Sequence, residues 1–374
     1  MRTICSAIVF VLFAGILTAC TPVSAPATSA PPIASDAPAA TAALVVEDAV
    51  GRSVEFETPP SRIVVVGRGT YMVTGAIFTF PAAQDRVAGF EGGRFNDPAN
   101  FLPFVDPSFA GKSILERNAG PEQVAPVRPD ALVLKSTARD ELGAALEQLG
   151  IPIVYVEMES VEQYFDDITT LGQLLDSSER AQEIIGYMQE RLDRVADGLA
   201  DVIKADKPSV LVIQYSDEGG EVAFEVPPAS WLQTRLVELA GGVPVWTEAS
   251  PGGGWATVNF EQVAQWNPDK VVVIYYQADS QEAVAALAAN PEWQALAATQ
   301  NGELYGFPAD IFGWDSPDPR WILGLQWLAT KLHPERFADL DIMAEVDSFF
   351  NEIYGMDSAS IEANILPMLK GDLP

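Results

Sequence analysis

Two hydrophobic rhythms run along this chain. One is the unbroken apolar run: "RIVVVG" (62–67), "ALVL" (131–134), "IPIVYV" (151–156), "SVLVIQY" (209–215) and "KVVV" (270–273). Such runs show no polar alternation and suit strands buried on both faces, as in a parallel sheet. The other rhythm is helical. From Ser178 to Ile203, apolar residues recur every three or four positions, at Ala181, Ile184, Met188, Leu192, Val195, Leu199 and Val202. They form one face of an amphipathic helix. About 26 residues at about 1.5 Å each predict a rod of about 39 Å. That length suits a strut between two lobes, and two ordinary helices within one lobe fit the same pattern.

One fourteen-residue sentence is written twice. "PEQVAPVRPDALVL" occupies 121–134 and "FEQVAQWNPDKVVV" occupies 260–273. Pro121 suits a first helical turn and Asn259 a helix N-cap. Each helix must be short, because Pro129 and Pro268 cannot continue it. An apolar strand follows each Pro-Asp. The settings also match. "RIVVVG" precedes the first copy and "SVLVIQY" the second. Each is followed by a helix and a Gly-containing turn, and each copy is followed by a further helix–strand pair. Strands alternating with helices argue for α/β layers, and here for two of them. The expected fold is α/β: two Rossmann-like lobes with parallel sheets, joined by a long backbone helix, with a ligand cleft between the lobes. The expected boundaries are 44–159 for the N-terminal lobe and 160–205 for the connecting helices. The C-terminal lobe with closing helices spans 206–356, and 357–374 is read as a tail.

The beginning of the chain belongs to neither lobe. Arg2 and the apolar stretch Ala7 to Leu17 make a signal-peptide pattern for residues 1–19. "LTAC", ending at Cys20, resembles the lipobox of bacterial lipoproteins, which implies cleavage before Cys20 and a lipid on its sulfur. Residues 20–43 continue as Ala, Pro, Ser and Thr, a composition that makes a tether rather than a core.

Composition narrows the chemistry. The net charge is −30, with 22 basic and 52 acidic residues, so no basic footprint for nucleic acid is present. Cys5 leaves with the leader, and the remaining cysteine is the anchor. His333 is the single histidine. A zinc site built directly from His and Cys ligands is therefore not expected, and neither is a Ser-His-Asp triad. The glycine clusters at 67–69 and 252–254 match no phosphate-binding fingerprint. Two rivals from other classes are a lipid-anchored extracytoplasmic hydrolase using two acidic residues and a structural adhesin.

Four stretches resemble one known family, the substrate-binding lipoproteins of bacterial ABC importers with a helical backbone between lobes. They are "VVEDAVGRSVEFETPPSRIVVVG", the two Glu-Gln-Val…Pro-Asp copies, and the tail "SPDPRWILGLQWLATKLHPERFADLD" with "FFNEIYG". The resemblance implies a monomeric, non-enzymatic receptor without a cofactor of its own. It would capture an iron-siderophore-type chelate and deliver it to an ABC permease dimer with its ATPase subunits. Cobalamin or haem is the alternative ligand. The first ligand loop departs from many relatives by carrying Arg68 and Tyr71 where small polar residues are frequent.

Candidate residues follow from the loops at strand ends. In the first lobe they are Arg68, Tyr71, Phe90, Arg94, Lys135 and Ser136. In the second they are Tyr215, Trp231, Trp255, Tyr276, Phe312 and Trp314. The aromatics suit stacking on a flat ligand, and Arg68, Arg94 and Lys135 suit an anionic chelate. Trp293, Trp321 and Trp327, on helical stretches, are expected in the core. Glu122 and Glu261 open the two short helices. A carboxylate there offsets the helix dipole by roughly 0.3–1 kcal/mol, which is one sufficient reason for its presence. The resemblance implies another, that each meets an arginine of one permease subunit.

Overall fold

The structure is a computed structural model that describes residues 43–96, 100–217 and 222–374. The leader, Cys20, the tether up to residue 42 and the Arg94 side chain lie outside the described residues.

A hairpin opens the first lobe, β1 (Leu44–Glu47) with β2 (Ser53–Phe56). There follow β3 (Ile63–Val65), α1 (Thr70–Ile77), α2 (Ala83–Arg86), β4 (Val87–Glu91), α3 (Leu102–Val105), β5 (Ser113–Leu115), α4 (Pro121–Val124), β6 (Ala131–Lys135), α5 (Ala144–Leu146) and β7 (Ile153–Val156). The sheet runs β5-β4-β3-β6-β7, and every pairing is parallel. Both faces are covered. Ile63, Val65 and Val133 face one core, and Val64, Leu132 and Leu134 face another. This double burial is why the strands read as unbroken apolar runs.

Two helices follow, α6 (Val161–Leu174), capped by Ser160, and α7 (Ser178–Gly198). At 1.5 Å per residue α7 is about 31 Å long. It is shorter than the spacing up to Ile203 predicts. Its end is set by the neighbouring chain: Phe337 packs on Gly198, and Arg336 donates to the Gly198 carbonyl at 3.1 Å.

The second lobe contains β8 (Ser209–Ser216), β9 (Ala223–Val226), α8 (Leu232–Leu239), β10 (Val243–Pro244), β11 (Ala256–Val258), α9 (Phe260–Trp266), β12 (Lys270–Ile274), α10 (Ser280–Ala289), α11 (Ala297–Gln300) and β13 (Leu304–Gly306). Its order is β11-β9-β8-β12-β13, with β10 also on β8. β8, β10, β12 and β13 are parallel, as expected. β9 is antiparallel to both its neighbours. The short link from β8 to β9 explains the difference, since a parallel return needs a crossover of a dozen residues or so and a hairpin does not.

The closing helices are α12 (Trp321–Leu332), α13 (Ile342–Tyr354) and α14 (Ser358–Asn364). α12 packs on α7, α8 and α13. α13 reaches back to the first lobe, where Phe350 and Tyr354 meet Phe101 edge-on. One apolar core therefore runs from Val46 through α7 to Trp293, Trp321 and Trp327, all buried. Residues 357–374 are not a loose tail. Lys370 exchanges backbone hydrogen bonds with Ala309, and Trp327 Nε1 donates to the Asp372 carbonyl at 2.7 Å.

The repeated sentence folds twice into one unit. α4 starts with Pro121. α9 starts at the Asn259 capping box, with Gln262 N–H donating to Asn259 Oδ1 at 2.9 Å. Arg128 and Asn267 then turn left-handed, at φ 52° and 38°, just before the prolines. The Pro-Asp carboxylates reach sideways to the neighbouring strand. Asp130 accepts from Ser61 N–H (2.8 Å), Ser61 Oγ (2.9 Å) and Arg62 N–H (2.8 Å) at the start of β3. Asp269 accepts from Ser209 N–H (2.8 Å) and Oγ (2.7 Å) at the start of β8. Each copy thus pins the strand it pairs with.

Candidate functional site

Open parallel sheets bind ligands at the carboxyl ends of strands, where the connections part to either side. In the first lobe that point lies between β3 and β6. Gly67 (φ 106°) and Gly69 (φ 76°) turn the chain from β3 into α1 through backbone conformations that side chains disfavour. Glu91, buried at the end of β4, accepts from Gly67 N–H (2.6 Å) and Ala119 N–H (3.1 Å). It therefore ties the ligand loop to the segment leading into α4.

Arg68 stands between those glycines, exposed, with no ion pair among the described residues. Lys135 is different. It is 3% exposed, and its ammonium pairs with Glu159 and lies 3.6 Å from Met72 Sδ. Its charge is answered inside the lobe, so the sequence expectation of a cleft cation does not hold for it. Ser136 donates to Glu157. Burial raises the Glu157 carboxyl above its ordinary value against the pull of Lys135. Phe90 is a core residue, packed among Phe78, Phe95 and Phe109, because it sits in β4 and not beyond it.

The second lobe supplies an aromatic wall. Trp231 at the start of α8 meets Trp255 edge-on, with centroids 5.9 Å apart. Trp255 meets Tyr276 at 6.4 Å and 79°. Tyr276 donates its hydroxyl to Asp315 Oδ2 at 2.5 Å, and Gln233 Nε2 approaches the same oxygen at 3.3 Å. Burial, then the Asp315 charge, hold the Tyr276 hydroxyl well above its usual pKa, so it remains a donor. Beyond Gly313 the wall continues to Phe312, which stacks on Tyr71 of the first lobe at 4.9 Å and 21°. Tyr71 also points its hydroxyl at Ser316 Oγ, 3.4 Å away.

Four sequence candidates therefore join in one surface, Tyr71, Trp231, Trp255 and Tyr276, and a fifth, Phe312, backs it from within: it is 1% exposed beneath the Tyr71 ring. Trp314 does not. It is fully buried, with its carbonyl against Gly324 of α12. Tyr215 is buried too, against Phe224 and Tyr275, because it is still inside β8. Sequence reasoning missed Gln233, Asp315 and Ser316. Asp315 and Ser316 adjoin Trp314 in "GWDSPDP", but sequence does not say which of three successive loop residues turns toward the cleft.

Two concavities bear on the site. One lies at the ends of β12 and β13, lined by Tyr276, Ala278, Pro308, Asp310, Gly313 and Asp315. A larger one, about 420 Å³, lies by the first hairpin and α6 and is lined by Glu47, Asp48, Glu157, Asp166 and Asp167. Its innermost carboxylates are already engaged. Asp48 pairs with Arg52, and Asp167 accepts from the N–H groups of Glu157 and Met158 at 2.8 Å.

Glu122 and Glu261 are exposed in the first turns of α4 and α9. α4 follows Ala119, which Glu91 holds at the top of the sheet, and α9 follows Val258, level with Phe224 and Tyr215 near the end of β8. Both helices thus start at the end of the sheet where the strands finish.

Two α/β lobes on a helical joint, with a cleft between them, are the architecture of solute receptors. Residues 81–311 match the family described as periplasmic binding protein, and the chain belongs to that family. Its relatives are solute-binding components of ABC transporters. The molybdate-binding protein MolA of Haemophilus influenzae is 24% identical over 255 residues, which cover 62% of this chain and 69% of MolA. The fold matches a periplasmic solute binding protein from Veillonella parvula, with TM-score 0.69, 21% identity, and coverage of 86% of this chain and 96% of that one. It also matches Helicobacter pylori CeuE in a nickel–histidine complex, with TM-score 0.66, 20% identity, and coverage of 86% and 99%. Proteins of this family act outside the cytoplasm with an ABC permease and ATPase. No helix among the described residues is long and apolar enough to cross a membrane.

Proposed function

We propose that this chain is the lipid-anchored receptor of an ABC importer, that it captures an iron-siderophore-type chelate, and that it delivers the chelate to its permease. The observation that carries the reading is the aromatic wall from Trp231 through Tyr276 to the Tyr71–Phe312 stack, with exposed Arg68 on the first lobe beside it. Aromatic faces suit a flat, partly apolar ligand, and a guanidinium suits its anionic oxygens. A chelator brings its own metal ligands, which fits a cleft whose carboxylates, Asp310 and Asp315, are already engaged by Arg320 and Tyr276. The protein needs no cofactor and performs no reaction. Cys20 carries the lipid, and Glu122 and Glu261 dock one permease subunit each.

A corrinoid or haem is the second reading, favoured by the same wall, which fits a macrocycle as well as a chelate. The test is native mass spectrometry of the full chain against a ferric catecholate, a ferric hydroxamate, haem, cobalamin, molybdate and nickel–histidine. One-to-one retention of a ferric chelate is expected. Retention of cobalamin or haem instead would install the second reading. Retention of molybdate or nickel–histidine alone would overturn both.

A further inference from the structure

Arg320 lies behind the cleft surface and is bonded to residues that shape it. It is fully buried just before α12. Its Nε donates to both Asp310 oxygens, at 2.8 and 2.7 Å, and its Nη1 donates to Asp318 Oδ1 at 2.8 Å. The guanidinium also lies over the rings of Phe101 (4.7 Å), Phe350 (5.3 Å) and Phe312 (5.4 Å). Burying one cation with two carboxylates is an expensive way to fill a core, and apolar side chains of similar volume are often as stable or more so. What the charges add here is a single shape for the loop between Asp310 and Arg320.

That shape reaches the opposite lobe. Asp310 Oδ1 also accepts from Phe312 N–H at 3.0 Å, which fixes the ring that stacks on Tyr71. Asp318 packs directly on α1, where a Cβ added at Gly75 would stand 2.1 Å from Asp318 Oδ2. Tyr354, itself under Arg320, donates to the Gly75 carbonyl at 3.0 Å. Tyr71 and Gly75 are four residues apart, so they share one face of α1. The same loop also meets the first lobe through Phe312 against Phe95, with centroids 5.2 Å apart, and through Arg320 over Phe101. α1 begins two residues after Arg68, past its N-cap Gly69.

We propose that Arg320 is a positioning residue for ligand capture. Through Asp310 and Asp318 it holds the 310–320 loop as a latch on α1, and so sets Tyr71 and the Arg68 loop against the aromatic wall. The proposal rests on the cleft reading given above, and its test separates the two. When the latch loosens, the fraction of molecules with a competent cleft falls, and apparent affinity falls by the same factor.

The experiment uses the full chain with Arg320→Lys, which keeps the charge and loses the fork, and with Gly75→Ala, which wedges Asp318 away and leaves Arg320 intact. Amide hydrogen exchange without ligand reports the latch, and calorimetry with a ferric catecholate, a ferric hydroxamate and cobalamin reports the cleft. Expected is faster exchange confined to residues 67–77 and 310–320, with affinity for the bound probe down about tenfold or more in both variants. A merely structural role would instead speed exchange across both lobes in step with lost thermal stability, and that result would overturn the proposal. So would unchanged exchange and affinity in both variants. Should Arg320→Lys fail to fold, Gly75→Ala decides alone. If no probe binds the unaltered protein, the cleft reading fails, while the exchange pattern still decides whether the latch exists.

Discussion

Asp130 opens β6 in the first lobe as Asp269 opens β12 in the second. Each takes the N–H and hydroxyl of a serine, Ser61 or Ser209, at the start of the adjacent strand. Five residues up those strands the two lobes diverge. β6 ends in Lys135, paired with Glu159 beneath the loop that presents Arg68. β12 ends near Tyr276, part of a wall of indoles and phenols. The two copies agree where they build a sheet and differ where a ligand would rest. The difference teaches that the repeated sentence is about architecture. Past it, the first lobe presents exposed Arg68 above a paired lysine, and the second presents rings.

The rim gives the largest expected effect. Glu122 and Glu261 are symmetric in the repeat and exposed, and neither touches the wall. Glu122→Ala/Glu261→Ala should leave ligand affinity unchanged and reduce uptake in cells, or ligand-stimulated ATPase in liposomes, to background. If the glutamates only offset helix dipoles, transport would survive and stability would fall by about a kcal/mol or less per site. Reduced affinity would mean that the carboxylates face the ligand.

The two walls of the cleft come next. Arg68→Ala should cost roughly 1.5–3 kcal/mol of binding to an anionic chelate, the range for hydrogen bonds to charged groups. Trp255→Ala should cost affinity as well, through lost ring contact. Only the arginine's effect should shrink as salt rises, since an exposed charge is screened and a ring face is not. Calorimetry at two ionic strengths separates them. Equal salt dependence would remove the division of labour between the lobes, and an idle Arg68 would point to a corrinoid or haem.

The clamps are predicted to be unequal. Asp130 accepts three hydrogen bonds and Asp269 two. Both lie at the surface, so each Ala variant should lose about 1.5 kcal/mol, the low end of the charged hydrogen-bond range, with Asp130→Ala the worse. Urea unfolding measures this. Asp269→Ala matching or exceeding Asp130→Ala would mean that hydrogen-bond number does not govern the clamp.

Much of this was legible because burial writes itself into local pattern. The two-faced strands, the helix starts at Pro121 and Asn259, and the buried Trp293, Trp321 and Trp327 all follow from short-range rules. Phe90 and Tyr215 misled for a reason of register. Each lies inside a strand, one position or so short of where the chain emerges, and sequence locates strand ends only to within a few residues. Trp314 misled by size, since a loop tryptophan beside glycine looks like a ligand contact until α12 covers it. Lys135 was visible as a cation, but its partner Glu159 comes from the next strand's far end, a pairing that only the fold creates. The antiparallel β9 was hidden by a short link whose neighbours read equally well as a crossover.

The smallest expected effect lies in the one place where the copies do the same thing with different residues. Before each proline the chain turns left-handed, at Arg128 in the first copy and Asn267 in the second. A residue before proline is disfavoured in the right-handed helical region, so the preceding helix must end there. Asparagine tolerates that conformation, whereas an arginine side chain crowds the following carbonyl at a cost of roughly 1–2 kcal/mol. No hydrogen bond or ion pair of the Arg128 side chain compensates among the described residues; its backbone alone is used, the N–H donating to the Ala125 carbonyl at 3.0 Å and the carbonyl accepting from Arg62 Nε at 3.1 Å. Arg128→Asn should therefore stabilise the protein, by about 0.5 kcal/mol once the partial tolerance of any left-handed residue is allowed for. Asn267→Arg should destabilise it by a similar amount. Paired urea titrations of the two variants give the answer. Opposite signs would establish that the first copy carries strain which the second has relieved, and equal signs would mean that side-chain surroundings rather than backbone conformation decide both positions.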